Sequence, residues 1–261
     1  QLLLMRLHDE GLEFCLTENC DAVSGIRELV SRGCQRLLWL HVGSGDSETG
    51  DVELLLPLLR NFTRKVVHNY RFGFGTCEEA LLGAGVHIVG VDRLGSMRRI
   101  GQLLLAHGHE HVAFFFEGNS GKLGEELSAL GVRLEIVSGS TSTGDSLAKF
   151  RPELGQMLLD CYHDRGVSAA VFNNDQSAME AMLTARAHGL DVPGDLSIVA
   201  WDGSVYARGL AIPLTTMDVP VSAMVDRSLE LLGSDRPAGV HRLTAELHLR
   251  ASHGDNKRHG S

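Results

Sequence analysis

Short apolar runs alternate along the chain with longer amphipathic segments. Short runs bounded by turn residues are typical of buried strands, and apolar positions that recur every three or four residues are typical of helices. Because the two kinds of segment alternate, the pattern predicts an α/β fold built on parallel sheets. The predicted strands are 12–17, 37–42, 65–69, 87–91, 111–116, 132–137, 169–172, 196–201 and 245–250, and the main predicted helices are 22–31, 54–60, 95–106, 152–165, 176–188 and 221–232.

Polar residues directly follow three of these strands: Asp92, the run Asn173-Asn174-Asp175, and Asp202. In open parallel sheets, ligands bind outside the carboxyl ends of the strands, where helix N-termini also present donors. The pattern therefore predicts a binding crevice there without indicating what binds. Each residue also has a structural alternative, since Asp202 could serve as a helix cap or turn residue, and Asp175 is expected to cap the helix that follows it.

The overall charge and the cysteines narrow the possible functions. The 24 Lys and Arg residues against 33 Asp and Glu residues give a net charge of −9, which disfavours direct binding to a phosphate backbone. The five cysteines are odd in number and lack a CxxC spacing, which fits reduced thiols in a cytoplasmic protein better than a disulfide framework. No apolar run approaches the roughly 20 residues that span a bilayer, so no membrane contact is expected.

Motifs for catalysis are lacking: the chain has no G-x-S-x-G elbow, HExxH pair or Walker A loop. The cluster of His107, His109 and His111 could suggest a metal site, because alternate residues of a strand share one face. Structural or solvated histidines are the preferred interpretation at such a helix-to-strand junction. We therefore predict no enzyme activity, no metal and no cofactor.

Five short motifs follow one another between Ala170 and Thr216. They are Asn174-Asp175, Gly189-Leu190-Asp191-Val192-Pro193, Asp195-Leu196-Ser197-Ile198-Val199, Trp201-Asp202 and Pro213-Leu214-Thr215-Thr216. In this order they resemble the effector-binding domain of the LacI/GalR family of bacterial transcriptional regulators. From about Gly90 onward the similarity continues, whereas before Gly90 only the order of strands and helices agrees.

This resemblance implies a periplasmic-binding-protein-like fold of type I, with two Rossmann-like lobes joined by three crossovers and a ligand in the cleft between them. The N-terminal lobe would comprise residues 1–110 and 218–240, and the C-terminal lobe residues 111–217 and 241–252. Residues 253–261 would form a disordered tail. A hinge is expected at Thr216 to Pro220, because proline fixes φ and favours an extended residue before it.

The resemblance also implies roles for five residues. Asp202 matches an aspartate that accepts hydrogen bonds from ligand hydroxyls, Asn174 matches a ligand-contacting asparagine, and Asp92 would face the ligand or the other lobe. The family's Arg-x-x-Gly step has no arginine here, so Lys122 could replace it or be a solvated surface residue. The usual aromatic residue after the next strand is also missing, and Trp201 could supply a face unless it packs in the core.

The implied function is that of a sensor for a sugar or related metabolite. It would act as a homodimer and contact operator DNA only through a separate helix-turn-helix head preceding this chain. Apolar residues within 2–6, 26–30 and 54–59 could supply the dimer face. Two alternatives remain open: a periplasmic solute receptor of the same fold that serves a transporter, and an α/β enzyme with strand-end carboxylates as acid and base.

Overall fold

The computed structural model describes residues 2–9, 11, 13–17, 22–41, 49–69, 77–116, 121–137 and 152–257. In chain order the elements are α1 (Leu2–Asp9), α2 (Ala22–Ser31), β1 (Arg36–His41), α3 (Thr49–Leu59), β2 (Arg64–Asn69), α4 (Glu78–Gly83), β3 (Val86–Val91), α5 (Arg93–Ala106), β4 (His111–Phe115), α6 (Gly121–Ala129), β5 (Arg133–Val137), α7 (Pro152–Asp164), β6 (Ala169–Phe172), α8 (Asp175–Ala187), β7 (Ser197–Asp202), α9 (Val205–Gly209), β8 (Thr215–Asp218), α10 (Val221–Leu232), β9 (Val240–Leu243) and β10 (Glu246–His248).

The chain forms two compact units, each with its own sheet. The first unit comprises Gln1–Val91 and Pro220–Leu243, and the second comprises Asp92–Val219 and Thr244–Ser261. The chain therefore crosses between the units three times. The α/β fold with two parallel-sheet lobes and three crossovers, predicted from the sequence, is confirmed.

The first unit has a four-stranded sheet in the order β1-β2-β3-β9, and all its strand pairs are parallel. Its core lies between this sheet and helices α2, α3 and α4, because the apolar positions of those helices turn toward the strands. The fully buried members include Leu55, Val67 and Leu81.

The second unit has a six-stranded sheet in the order β10-β8-β7-β6-β4-β5, in which only the β10–β8 pair is antiparallel. Strands β4 and β6 are buried along their whole length, as expected for parallel strands covered on both faces. Phe115 and Phe172 stack across this pair with ring centroids 4.5 Å apart. The chain order reverses between β4 and β6, so the ligand crevice of an open α/β sheet is expected at their carboxyl ends.

The unit boundaries differ from the predicted lobes 1–110 plus 218–240 and 111–217 plus 241–252. Helix α5 belongs to the second unit, because Gly101 lets it approach Leu127 and Leu130 closely, and Arg98 pairs with Glu126 of α6 at 2.7 Å. At the other two crossings, β8 pairs with β7 up to Asp218, and β9 pairs with β3 up to Leu243. Pairing within the sheets therefore moves these two crossings a few residues beyond their predicted positions, whereas the first crossing lies before its predicted position, between Val91 and Asp92.

Two further predictions are corrected. The described residues 13–17 form no strand, although they alternate between polar and apolar, and Phe14 and Leu16 are exposed. The tail was predicted to be disordered from residue 253, but it is held by hydrogen bonds as far as Asn256. Gly254 and Asn256 form hydrogen bonds with residues at the amino ends of β4 and β7. Residues 258–261 lie outside the described part of the chain.

Candidate functional site

The carboxyl edge of the second sheet is organised around Asp175, the first residue of α8, which is fully buried. Its carboxylate accepts hydrogen bonds from the backbone N–H of Ser204 at 2.6 Å and from the hydroxyl of Thr216 at 2.5 Å. Burial raises the pKa of Asp175, and these hydrogen bonds offset part of that rise. The carboxylate thus ties the start of α8 to the loop after β7 and to β8.

Asn174 and Asp92 both cap helices at this edge. The Oδ1 of Asn174 accepts from the N–H of Ser177 at 2.8 Å, and its Nδ2 donates to Asn173 Oδ1 at 2.9 Å. Asn174 has the extended backbone (φ −155°) of a cap residue, so the prediction that Asp175 caps α8 was wrong. The Oδ1 of Asp92 accepts from the N–H of Gly95 at 3.0 Å and so caps α5.

Asp202 ends β7 in a backbone conformation that side chains rarely adopt, with φ at +122°. Among described residues other than glycine, it is the one that has a positive φ. The next residue, Gly203, has φ at +74°, so the chain turns sharply at the strand end. Backbone strain of this kind costs about 1–3 kcal/mol and is concentrated at functional sites. The direction of the half-buried Asp202 side chain is therefore set by an unusual backbone turn.

Trp201, which precedes Asp202, lies in the interior with 1% of its surface exposed. The guanidinium of Arg93 lies over its ring, 4.5 Å from the ring centroid, in cation–π geometry. Trp201 thus packs in the core, which was the structural alternative for it. The same contact brings the start of α5, and hence Asp92, next to the end of β7. The sequence reasoning missed Arg93, although a cation directly after a strand-end aspartate was a usable signal.

A polar cluster adjoins Asp202 on the neighbouring strand, where Asp218 is its partner in the parallel register. Asp218 Oδ2 lies 3.2 Å from the Nε2 of His248 and 3.5 Å from a guanidinium nitrogen of Arg208. This cluster was not predicted, because its three members come from three different elements, β8, β10 and α9, which only the fold brings together. It places both signs of charge beside the end of β7.

Three other predicted residues are placed as follows. Lys122 is exposed in the first turn of α6, the helix that follows β4, and its role stays a prediction. Thr216 is buried and paired on both sides, with Ala200 and with His248, so it does not lie where the chain leaves the unit. Pro220 begins the segment of the first unit, immediately after the crossing at Val219. The chain passes from one unit to the other between Val219 and Pro220, and a hinge there stays a prediction.

The amino edge of the same sheet holds the histidine cluster. His109 is buried, with Nδ1 2.9 Å from the hydroxyl of Ser168 and Nε2 2.8 Å from the carbonyl of Gly254. Because a carbonyl only accepts, Nε2 carries the proton, and Nδ1 accepts from Ser168. Burial lowers the pKa of His109. His107 pairs with Asp255 at 2.7 Å, and His111 lies 3.0 Å from Glu135, so each of the three has its own partner.

No group of three or more His, Cys, Asp or Glu side chains in the described residues is arranged to hold a metal ion. None of the described helices combines the length and apolarity needed to cross a lipid bilayer.

Comparison with known proteins identifies relatives. The model of the periplasmic binding protein-like domain family matches residues 102–253, more than half of the chain. Over 141 residues the chain is 31% identical to the HTH-type transcriptional regulator DegA of Bacillus subtilis, a match covering 52% of this chain and 42% of that regulator. The chain thus spans less than half the length of this relative.

Solved structures share the fold along almost the whole chain. The transcriptional regulator CelR in complex with cellobiose superposes with a TM-score of 0.74 at 21% identity, over 96% of this chain and 76% of that one. A LacI family transcriptional regulator from Enterococcus faecium with bound ribose superposes with a TM-score of 0.73 at 19% identity, over 97% and 93%. The chain therefore belongs to the periplasmic binding protein-like domain family, and its similarity to LacI-type transcriptional regulators confirms the resemblance predicted from its sequence.

Proposed function

We propose that this chain is the sensing domain of a LacI-type transcriptional regulator and that it binds a sugar at the carboxyl edge of the second sheet. One observation carries the proposal: Asp202 stands at this edge in a strained turn, beside the polar residues that follow the neighbouring strands. The relatives in which a sugar is bound, CelR with cellobiose and the Enterococcus faecium regulator with ribose, share the fold.

The residues at this edge suit a polyhydroxylated ligand. A carboxylate such as that of Asp202 accepts hydrogen bonds from two neighbouring hydroxyl groups, and an asparagine both donates and accepts. Asn174 already uses one lone pair of its Oδ1 and one proton of its Nδ2 within the protein, which leaves one of each for a ligand. The caps at Asn174 and Asp92 hold these side chains in fixed positions before any ligand arrives.

The regulator is favoured over a periplasmic solute receptor and over an enzyme, because the matched curated relatives are transcriptional regulators. We place the protein in the cytoplasm, where thiols stay reduced. The net charge of −9 disfavours direct contact with DNA, so operator binding would belong to a helix-turn-helix head preceding this chain. A sugar would regulate that head only if it bound two conformations of the protein with different affinity.

The test is thermal unfolding of the chain with and without cellobiose, lactose and ribose. A sugar present at 100 times its dissociation constant should stabilise the fold by about 2.7 kcal/mol. The shift should disappear in Asp202→Ala and weaken in Asn174→Ala. Asn174→Asp keeps the helix cap while removing the amide donor, and so separates binding from folding.

Asp164→Ala is the matched control, since Asp164 is an exposed aspartate at the end of α7. It should keep the full sugar-dependent shift. A shift that persists in Asp202→Ala would remove the proposed site, and no shift with any of a wide panel of sugars would remove the proposed ligand class.

We also propose that the chain forms a homodimer through the first unit. Of the helical residues expected at the dimer face, Ile26, Leu55 and Leu59 are buried in the core. Met5 of α1 and Leu54 of α3 are instead exposed, and they are the candidates for a contact with a second copy. Leu54→Glu should convert a dimer to a monomer in light scattering, whereas Leu183→Glu, on α8 of the second unit, should not.

A further inference from the structure

The turn that carries Asp202 is held by contacts on both of its sides. The residue before it, Trp201, is buried, and the backbone carbonyl of Asp202 accepts from the N–H of Val219 at 3.2 Å. Farther along the turn, the N–H of Ser204 donates to the carboxylate of Asp175 at 2.6 Å. A strained backbone angle persists only where the surrounding structure over-determines it. We therefore asked which contacts keep Asp202 at φ +122°.

The angle φ is a rotation about the bond between N and Cα, so it is fixed only when the peptides before and after Asp202 are both held. The hydrogen bond from Val219 holds the peptide after it. The peptide before it joins Asp202 to Trp201, whose partner in the register of β8 is Met217 and whose ring lies in the interior. Movement of this ring would move that peptide, so whatever holds the ring also helps to set φ of Asp202.

The guanidinium of Arg93 lies over the Trp201 ring, 4.5 Å from its centroid. Among the aromatic side chains, tryptophan attracts a cation most strongly, and the attraction grows when the cation is removed from water. Arg93 is half-buried, and it is the first residue of α5. The cap that Asp92 forms on the N–H of Gly95 fixes the start of this helix. The guanidinium therefore contacts the ring from a fixed base.

Given the sugar site proposed above, we propose that Arg93 is a positioning residue for it. The guanidinium holds the ring of Trp201, and the ring keeps Asp202 in the strained conformation in which its carboxylate meets the sugar. The strain is then balanced within the protein before a sugar arrives, so binding does not have to supply the reorganisation. Arg93 acts through Trp201 in this proposal and does not itself contact the sugar.

The first experiment needs no sugar and is a double-mutant cycle measured by urea denaturation. In the wild-type background, Asp202→Gly should relieve the strain and lower the unfolding equilibrium constant by about fivefold. In the Arg93→Met background the turn is already free to relax, so the same substitution should change that constant by about twofold or less. Methionine keeps a long apolar stem over the ring and removes the charge.

Arg186→Met is the matched control, because Arg186 is an exposed arginine in the last turn of α8 in the same unit. In this background, Asp202→Gly should keep its full effect. An equal effect of Asp202→Gly in the Arg93→Met background would mean that Arg93 does not hold the turn, and the proposal would be wrong. No gain from Asp202→Gly in the wild-type background would mean that no strain is present to be held, which would overturn the proposal as well.

The second experiment measures affinity by titration calorimetry, with whichever of cellobiose, lactose and ribose stabilises the wild-type chain. Arg93→Met should raise the dissociation constant by about tenfold. Arg93→Lys should raise it less, because an ammonium keeps the attraction to the ring but loses the stacking of the planar guanidinium. Each variant is titrated at a temperature at which circular dichroism finds it folded. An unchanged dissociation constant in Arg93→Met would contradict the proposal.

The Trp201→Phe background separates positioning from direct contact with the sugar. Phenylalanine attracts a cation less strongly than tryptophan does, so Arg93→Met should raise the dissociation constant by less there than in the wild type. The same tenfold loss in both backgrounds would mean that Arg93 contacts the sugar itself, and the positioning role would be wrong. If no sugar bound the wild type, the proposed function would fail, whereas the cycle without sugar would still decide whether Arg93 holds the turn.

Discussion

The two edges of the second sheet use polar side chains in opposite ways. At the amino edge, residues 250–256 close over the strand starts, and the buried Ser252 both accepts from the N–H of Thr215 at 2.8 Å and donates to the carbonyl of Ile198 at 2.6 Å. His109 likewise has a partner on each ring nitrogen. At the carboxyl edge, Asn174 and Asp92 hold helix starts with one side-chain oxygen and keep hydrogen-bonding capacity in reserve.

The difference indicates which edge is built for a ligand. A polar group whose hydrogen bonds are all made within the protein stabilises the fold but has nothing left for recognition. Groups that are fixed in place yet retain lone pairs can bind with little loss of conformational entropy. We therefore expect substitutions at the amino edge to change the stability of the fold and nothing else. At the carboxyl edge, we expect some substitutions to change stability and others to change ligand binding.

The largest effect on stability is expected at Asp175. This residue lies at the carboxyl edge, but its hydrogen bonds, like those of the amino-edge residues, are made within the protein. Asp175→Ala leaves the N–H of Ser204 and the hydroxyl of Thr216 without their buried acceptor. The free energy of unfolding should fall by about 3 kcal/mol, measured by urea denaturation.

Asp175→Asn keeps an acceptor oxygen and should cost only about 1 kcal/mol. Asp160→Ala, an exposed aspartate on α7, is the control and should leave the denaturation midpoint unchanged. If Asp175→Ala were as stable as the control, the assignment of Asp175 as the organising residue of this edge would be wrong.

The next effect is a dependence of stability on pH at the amino edge. Burial lowers the pKa of His109; His107 and His253 lower it further, and Asp255 and the Gly254 carbonyl oppose them. As pH falls below about 6.5, the unfolded chain takes up a proton before the folded chain does. The stability contributed by neutral His109 is therefore full above that pH and is lost as the pH falls toward the folded-state pKa, by at most about 1.4 kcal/mol per pH unit.

His109→Gln keeps a donor toward Gly254 and an acceptor for Ser168 but does not titrate. The stability difference between wild type and His109→Gln should shrink as the pH is lowered from 7.5 to 5.5, by about 1 kcal/mol. A difference that stays constant over this range would contradict the neutral, buried state of this histidine.

The contrast between the edges was only partly visible in the sequence. Strands such as β4 and β6 were predicted because their residues are continuously apolar, and the strand-end rule identified Asp92, Asn174 and Asp202. Strand β8, Thr-Thr-Met-Asp, was not predicted because its hydrophobicity is low. It forms a strand because it pairs with β7 on one side and with β10 on the other. The predicted strand 12–17 was wrong for the converse reason: alternation alone does not supply a pairing partner.

Within the site, the sequence could not assign roles to adjacent polar residues. Asn174 and Asp175 are both good cap residues, and which one caps depends on backbone angles set by the end of β6. Arg93 and Trp201 are likewise far apart in the sequence, so their contact depends on how α5 packs against β7 within the second unit. Residue patterns therefore could not predict the contacts in the site that join residues distant in the sequence.

The smallest expected effect is a gain in stability instead of a loss. It tests whether a residue of the carboxyl edge lowers the stability of the fold because it serves ligand binding. Asp202→Gly relieves the strain of a side chain at φ +122°, which outweighs both the interaction that Asp202 loses and the added freedom of glycine in the unfolded chain. The variant should be more stable by about 1 kcal/mol while losing the sugar-dependent shift. Gly203→Ala is the matched control, because a Cβ there, at φ +74°, would collide with the Asp218 carboxylate and should destabilise the fold. If Asp202→Gly lowered the stability instead, the Asp202 side chain would have to be holding the turn together, and its assignment to ligand binding would lose its support.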